Sequence, residues 1–225
     1  MSAVTTDTGA ANPTPRQPAR GRPRGFDRDR ALQAALEEFW AHGYEATPIS
    51  TLAKRMGIGA PSLYAAFGDK KTLFREVVDV YSRTHGAFTA RALEEENTAR
   101  AAVSRMLWEA AAEYTAPHHP PGCLVVSAAT NCGPDSADVE QLLRDRRNAN
   151  IAVISRRIQD DVDAGILPTD TDSGALARLT GVAIQGMSQQ ARDGATRSEL
   201  ETIAVLTLRA WPAETAGHSS PREQR

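Results

Sequence analysis

The segment Ile49–Gly68, ISTLAKRMGIGAPSLYAAFG, narrows the possible folds more than any other part of the chain. It holds two short helical patterns on either side of Gly57. Two helices that cross steeply need a small residue where they touch, and Ala53 supplies it. They need a tight turn between them, and Gly57 supplies it, because glycine enters the left-handed turn without a steric penalty. Each also needs a buried face: Leu52 and Met56 on the first helix, Ile58, Leu63 and Phe67 toward the second. This is the spacing of a helix-turn-helix, whose second helix lies in the DNA major groove. The same spacing also suits an ordinary helical hairpin.

The flanks extend the helical pattern. Asp27 is placed to cap a first helix in which Ala31, Leu32, Ala35, Leu36 and Phe39 recur at helical spacing, and Gly43 ends it. Thr47 as N-cap with Pro48 at the first helical position opens the second helix. A third begins near Ala60-Pro61, and Gly68-Asp69 stops it and caps a fourth, expected over about 70–95. Further helices are expected over about 99–115, 123–131, 137–164, 173–193 and 197–211, separated by Pro- and Gly-bearing loops. Strand-type alternation is scarce. The expected fold is therefore all-α: a three-helix helix-turn-helix DNA-binding domain over 26–72, then a larger helical domain over 73–212. Residues 1–25 and 213–225 are rich in Pro, Gly, Ala, Thr and Arg without periodicity and read as disordered.

The run from Phe26 to Phe74 resembles the N-terminal domain of the tetracycline-repressor (TetR) family of bacterial transcription regulators. The stretches that carry the resemblance are FDRDRALQAALEEFWAHGYEAT and ISTLAKRMGIGAPSLYAAFGDKKTLF. Within them Gly43-Tyr44, Thr47, Leu52-Ala53, Met56-Gly57-Ile58, Ser62-Leu63-Tyr64, Phe67 and Lys70 fall in place. The resemblance implies phosphate contacts from Thr47, Ser62, Tyr64 and Lys70. Elementary chemistry agrees, since Thr47 stands at a helix N-terminus, where N–H groups meet anions, and Ser62 and Tyr64 carry hydroxyl donors. Tyr64 also suits a ring packed in the core with only its tip outside. Gly59 and Ala60, at the start of the recognition helix, depart from the polar or basic residues common there, so direct base reading is expected to be thin. Methyl contact with thymine from Ala60 or Pro61 remains open.

Charge divides unevenly along the chain. Residues 1–85 carry 12 basic and 9 acidic side chains, whereas the formal net charge of the whole is −2. A basic front on an acidic body suits a polyanion at one end. Arg20-Gly21-Arg22-Pro23-Arg24-Gly25 resembles an AT-hook core: Gly lets the backbone lie close to the minor-groove floor and Pro keeps it extended. Arg20, Arg22 and Arg24 are then drawn to the negative potential of A·T tracts. The same arm also reads as a solvated tail that attracts phosphate without specificity.

The C-terminal body carries no Walker loop, GxGxxG, HExxH or GxSxG, so an enzyme is not expected and no cofactor is called for. His118, His119, Cys123 and Cys132 lie close in sequence, but not at zinc-ligand spacing, and no metal is expected there. The family resemblance implies a small-molecule effector pocket instead. Its candidate lining is Phe88, Met106, Trp108, Tyr114, Cys123, Gln185 and Met187, which suits a mostly apolar ligand with Gln185 as a polar anchor. The resemblance also implies a homodimer built by the last two helices. The candidate interface is Leu176, Leu179, Val182, Ala183 and Gly186 on one, and Leu200, Ile203, Ala204, Thr207 and Trp211 on the other. These residues equally suit a monomer core.

The function expected is a ligand-responsive, sequence-specific regulator, most simply a repressor released from operator DNA by a small molecule. An architectural protein that holds A·T-rich DNA with little specificity is the alternative. With no run of 18 apolar residues, no apolar leader and two cysteines, no membrane partner is expected and the chain reads as cytoplasmic, on the nucleoid when bound to DNA.

Overall fold

The computed structural model describes residues 26–215, and among these every regular element is a helix. The first is α1 (Arg28–His42), capped by the Asp27 carboxylate, which accepts from the Asp29 and Arg30 N–H groups. Then come α2 (Ile49–Met56), α3 (Ala60–Phe67) and α4 (Lys70–Arg83), the last capped by Asp69. These are followed by α5 (Phe88–Glu95), α6 (Ala99–Tyr114), the one-turn α7 (Leu124–Ser127), a 3-10 turn at Pro134–Ser136, and α8 (Ala137–Asp163). Two helices close the chain: α9 (Ser173–Arg192) and α10 (Arg197–Arg209), which opens with a Thr196/Glu199 capping box.

The N-terminal unit is held by an apolar wedge. Leu36, Phe39, Leu52, Leu63, Leu73 and Phe74 are all fully buried. Phe74 meets Phe39 edge-on at 5.0 Å, and each such ring contributes about 1.5–3 kcal/mol through its burial alone. Arg28 ties three helices together: its guanidinium lies 4.4 Å over the Phe67 ring of α3 and donates twice to Glu76 of α4. In the larger body α6 runs through the middle and packs against α5, α8, α9 and α10. Asp161, buried on α8, accepts from the Ala99 N–H at 2.6 Å and pairs with Arg157, which seats the start of α6.

Three expectations need correction. The helix expected over 70–95 is two helices, broken at Thr84–Ala87, where the Gly86 N–H returns to the Tyr81 carbonyl and a side chain on Gly86 would meet the Tyr81 ring at 3.1 Å. The N-cap of α2 is Pro48, not Thr47; the Thr47 hydroxyl turns back and donates to Gly43 O at 2.6 Å. The C-terminal stretch is not free from Ala213 onward. Glu214 accepts from the Thr98 hydroxyl, and the Thr215 N–H donates to Ile166 O.

Several contacts join the N-terminal unit to the body, two of them at the end of α1. After α1 the chain turns at Gly43 (φ 79°, ψ 173°), and the next N–H, that of Tyr44, donates to Ala128 O just beyond α7 at 2.7 Å. Arg192 at the end of α9 donates to the carbonyls of Trp40 and Ala41 at the end of α1.

Candidate DNA-reading surface and effector cavity

α3 presents one face inward and one outward. Leu63 and Phe67 are buried, while Pro61, Ser62 and Tyr64 stand exposed and Gly59 and Ala60 lie at its solvent-facing start. Tyr64 is 51% exposed, so its ring is not part of the core. Neither α2 nor α3 has a side-chain cap, and Pro61 sits in the first turn of α3. The N–H groups that open both helices therefore meet no side-chain oxygen and leave partial positive charge at the helix start. Around them Lys54 is exposed, and Arg55, more than half exposed, leans on Glu38 at 3.1 Å.

Two of the expected phosphate contacts sit differently. Thr47 is buried at 1% exposure and its hydroxyl already donates to Gly43 O, so it does not offer that group at the surface. The exposed hydroxyl at the start of α2 belongs to Ser50, which the sequence pattern hides because Thr-Pro looks like the cap. Lys70 is half-buried with its ammonium 4.2 Å over the Tyr44 ring, and burial lowers its pKa. The same burial, helped by Glu45, pushes the Tyr44 hydroxyl up to about 12. Lys71 turns to the body, where it bonds Asp138 at 2.7 Å and Asp135 O at 2.8 Å. Arg20, Arg22 and Arg24 lie outside the described residues.

The body holds a cavity of about 290 Å³ between α4, α5, α8 and α9. Four of the sequence candidates, Phe88, Tyr114, Cys123 and Gln185, line it. Met106 and Met187 do not: both are fully buried in the helical core. Trp108 lies on the outer face of α6 and is 40% exposed. Sequence reasoning misses Tyr81 of α4 and the α8 residues Arg147, Asn150, Ile151 and Ile154, which also line it. The Arg147 guanidinium donates to Val125 O at 2.8 Å and its pKa is lowered by burial, with Arg144 adding to the shift. Gly181 lets α8 close in, since a side chain there would meet Ile151 at 3.1 Å. Cys123 lies beside the Tyr81 and Tyr114 hydroxyls, and burial pushes its thiol pKa up, so it behaves as an inert apolar group.

The two closing helices each have an outward apolar stripe. Leu179, Val182 and Gly186 are exposed on α9, with Val182 at 67%; Val205 and Leu206 are exposed on α10. Leu176 and Ile203 are half-buried. Ala183, Leu200, Ala204, Thr207 and Trp211 face the chain's own core, so these five are monomer packing. An amphipathic period marks the inner face of such a helix and leaves its outer stripe unmarked.

A three-helix unit with an outward α3 that no side chain caps, set on a helical body that holds a cavity, has the build of a helix-turn-helix regulator. Residues 31–77 match the sequence profile described as bacterial regulatory proteins, tetR family. The chain is 37% identical over 195 residues to the HTH-type transcriptional repressor ComR of Escherichia coli (strain K12), a match over 86% of this chain and 93% of that one. It is 33% identical over 119 residues to the HTH-type transcriptional repressor BdcR of the same strain, 53% of this chain and 60% of that one. A cysteine mutant of the TetR family transcriptional regulator CifR, complexed with 26-bp double-strand operator DNA, superposes with a TM-score of 0.82. It is 40% identical, over 85% of this chain and all of that one. The chain belongs to the tetR family and is a DNA-binding transcriptional regulator.

Proposed function

We propose that this regulator is a homodimeric repressor whose α3 enters the major groove of operator DNA and whose cavity takes a small-molecule effector. The observation that carries the reading is the outward face of α3, with Ser62 and Tyr64 exposed on a helix whose opposite face is locked in the core. Ser62, Tyr64 and the N–H groups opening α2 and α3 are the phosphate anchors, with Ser50 in place of Thr47. Gly59, Ala60 and Pro61 approach the bases and contribute shape and methyl contact rather than hydrogen bonds. The superposition with an operator-bound relative supports this orientation.

The effector cavity is mostly apolar, with Gln185, Asn150 and Arg147 among its polar lining, which suits an apolar molecule bearing an acceptor group. Val125 and Val126 of α7 line it, and Ala128, two residues on, holds the Tyr44 N–H beside the start of α2. A ligand that pushes on α7 therefore moves the support of the helix-turn-helix and changes the spacing of the two reading helices in a dimer. The dimer face is the outer stripe of α9 and α10. The test is fluorescence anisotropy of the full chain on a labelled duplex from the DNA upstream of its own gene, with scrambled competitor. Ser62→Ala and Tyr64→Ala each remove about 1 kcal/mol and weaken binding about fivefold. Unchanged affinity in the double variant would place the contact elsewhere on the molecule.

A further inference from the structure

Between the N-terminal unit and the body lies a cluster that neither the helix-turn-helix nor the effector cavity uses. His85 comes from the break between α4 and α5, Glu113 from the end of α6, and His119 from the loop that follows. Glu113 Oε1 is 2.7 Å from His85 Nδ1 and 3.0 Å from His119 Nε2. One donor atom from each of the three residues lies within 4.8 Å of the other two.

The protonation pattern of His119 is set by its surroundings. Its Nδ1 is 2.9 Å from Pro120 O, and a carbonyl only accepts, so the proton sits on Nδ1. In the neutral ring Nε2 then carries the lone pair. This side chain is 3% exposed, and its Nε2 has no hydrogen-bond partner among the described residues, because its approach to Glu113 does not have hydrogen-bond geometry. A buried ring nitrogen with no hydrogen-bond partner, 3.0 Å from a carboxylate oxygen, suits a cation that both can ligate. An imidazole whose far nitrogen donates to a backbone carbonyl is also the usual arrangement of a metal-ligating histidine.

We infer that His85 Nδ1, Glu113 Oε1 and His119 Nε2 form a binding site for a divalent transition-metal ion, of which zinc is the representative. Two imidazoles and one carboxylate suit zinc and its neighbours and not magnesium or calcium, which want oxygen donors. At bond lengths of about 2.1 Å, tetrahedral ligands stand roughly 3.4 Å apart, so the 2.7 and 3.0 Å separations must open by about 0.7 and 0.4 Å. Glu113, on a flexible stem, can supply that. Three protein ligands leave one position for water, as in exchangeable rather than purely structural sites. An approach exists: a cleft lined by Thr84, His85, Phe88, Glu109 and Glu113 opens beside the cluster. Arg91, on the same cleft, is neutralised by Glu109 at 2.8 Å.

Trp40 couples the site to the DNA-reading unit. Its ring stacks on His119 at 4.4 Å and meets His85 edge-on at 4.9 Å. Trp40 belongs to α1, and its carbonyl is one of the two that Arg192 holds. An ion that draws the two imidazoles together therefore acts directly on α1.

The test is titration of the metal-free full chain with zinc against a chromogenic chelator, which involves no DNA and so stands apart from the operator experiment. We expect one zinc per chain, at least tenfold weaker binding in each of His85→Asn, Glu113→Gln and His119→Asn, and no change in His118→Asn. Cobalt(II) added to the unmodified chain gives weak nitrogen–oxygen ligand-field bands, a measurement that does not depend on the variants folding. No zinc binding, binding that survives both histidine substitutions, or a thiolate-to-cobalt charge-transfer band from Cys123 or Cys132 would each overturn the site.

Discussion

Replacing Gly43 by alanine tests the joint between the reading unit and the body. Gly43 sits at φ 79° and ψ 173°, a region that only glycine enters freely, so a side chain costs about 1–3 kcal/mol in backbone strain. The new Cβ would stand 3.1 Å from Ala128 O. That oxygen cannot retreat without weakening the 2.7 Å bond it accepts from the Tyr44 N–H, worth about 1 kcal/mol. Together the change removes about 2–4 kcal/mol. Gly57 is the internal control. It lies at φ 68° and ψ 28°, the ordinary left-handed region, and a Cβ added there would meet nothing within 4 Å. Gly57→Ala costs about 1 kcal/mol, and Gly57→Asn less, because asparagine visits that region readily. Urea unfolding followed by circular dichroism at fixed chain concentration compares them. A Gly43→Ala protein as stable as Gly57→Ala would refute the reasoning, since the two sites differ only in backbone region and in the Ala128 contact.

Three further changes have defined outcomes. Leu206→Glu or Val182→Glu places a charge in the outer stripe of the closing helices, and light scattering should give the 24.2 kDa single chain for either variant and twice that mass for the unmodified protein if the proposed dimer face is right. Asp161→Ala removes the buried carboxylate that seats α6 and leaves Arg157 and the Ala99 N–H without it; thermal and urea melts should show a loss of about 3 kcal/mol. Asp69 has its pKa lowered by hydrogen bonds from Thr72 and by Arg75 and Lys71, so its stabilising contribution is present above the ordinary carboxylate range and fades as pH falls through the folded value. The difference in Tm between the unmodified protein and Asp69→Asn should therefore shrink from pH 7 to pH 3.

Local chemistry makes most of the helix ends legible. Asp27, Gly43, Gly57, Asp69 and Gly165 each act where composition places a boundary, because caps and left-handed turns are decided by one or two residues. The break at Thr84–Ala87 is not legible. Gly86 alone in an apolar-periodic stretch reads as a tolerated interruption, and only the fold shows its N–H returned to Tyr81 O with no room for a side chain beside the Tyr81 ring. Arg147 escapes the expected cavity lining for a related reason: an arginine on a long polar helix reads as solvated, and only the fold shows it turned onto Val125 O. Thr47 shows local chemistry misleading, since Thr-Pro is a strong cap signal, whereas the hydroxyl caps nothing and donates back to Gly43 O. The His85–Glu113–His119 cluster is beyond reach because no local pattern connects residues 28 apart in sequence, such as His85 and Glu113.

Selection of bound duplexes from a random DNA pool, using the full chain and no effector, tests most directly that a dimer reads a specific site through α3. We expect a two-fold symmetric motif whose half-site centres lie about one helical turn, or a multiple of it, apart. We also expect enrichment to be lost in the Ser62→Ala/Tyr64→Ala protein. A pool that stays unenriched, or enriches only for A·T content with a steep salt dependence, would contradict this and identify an architectural DNA-binding protein.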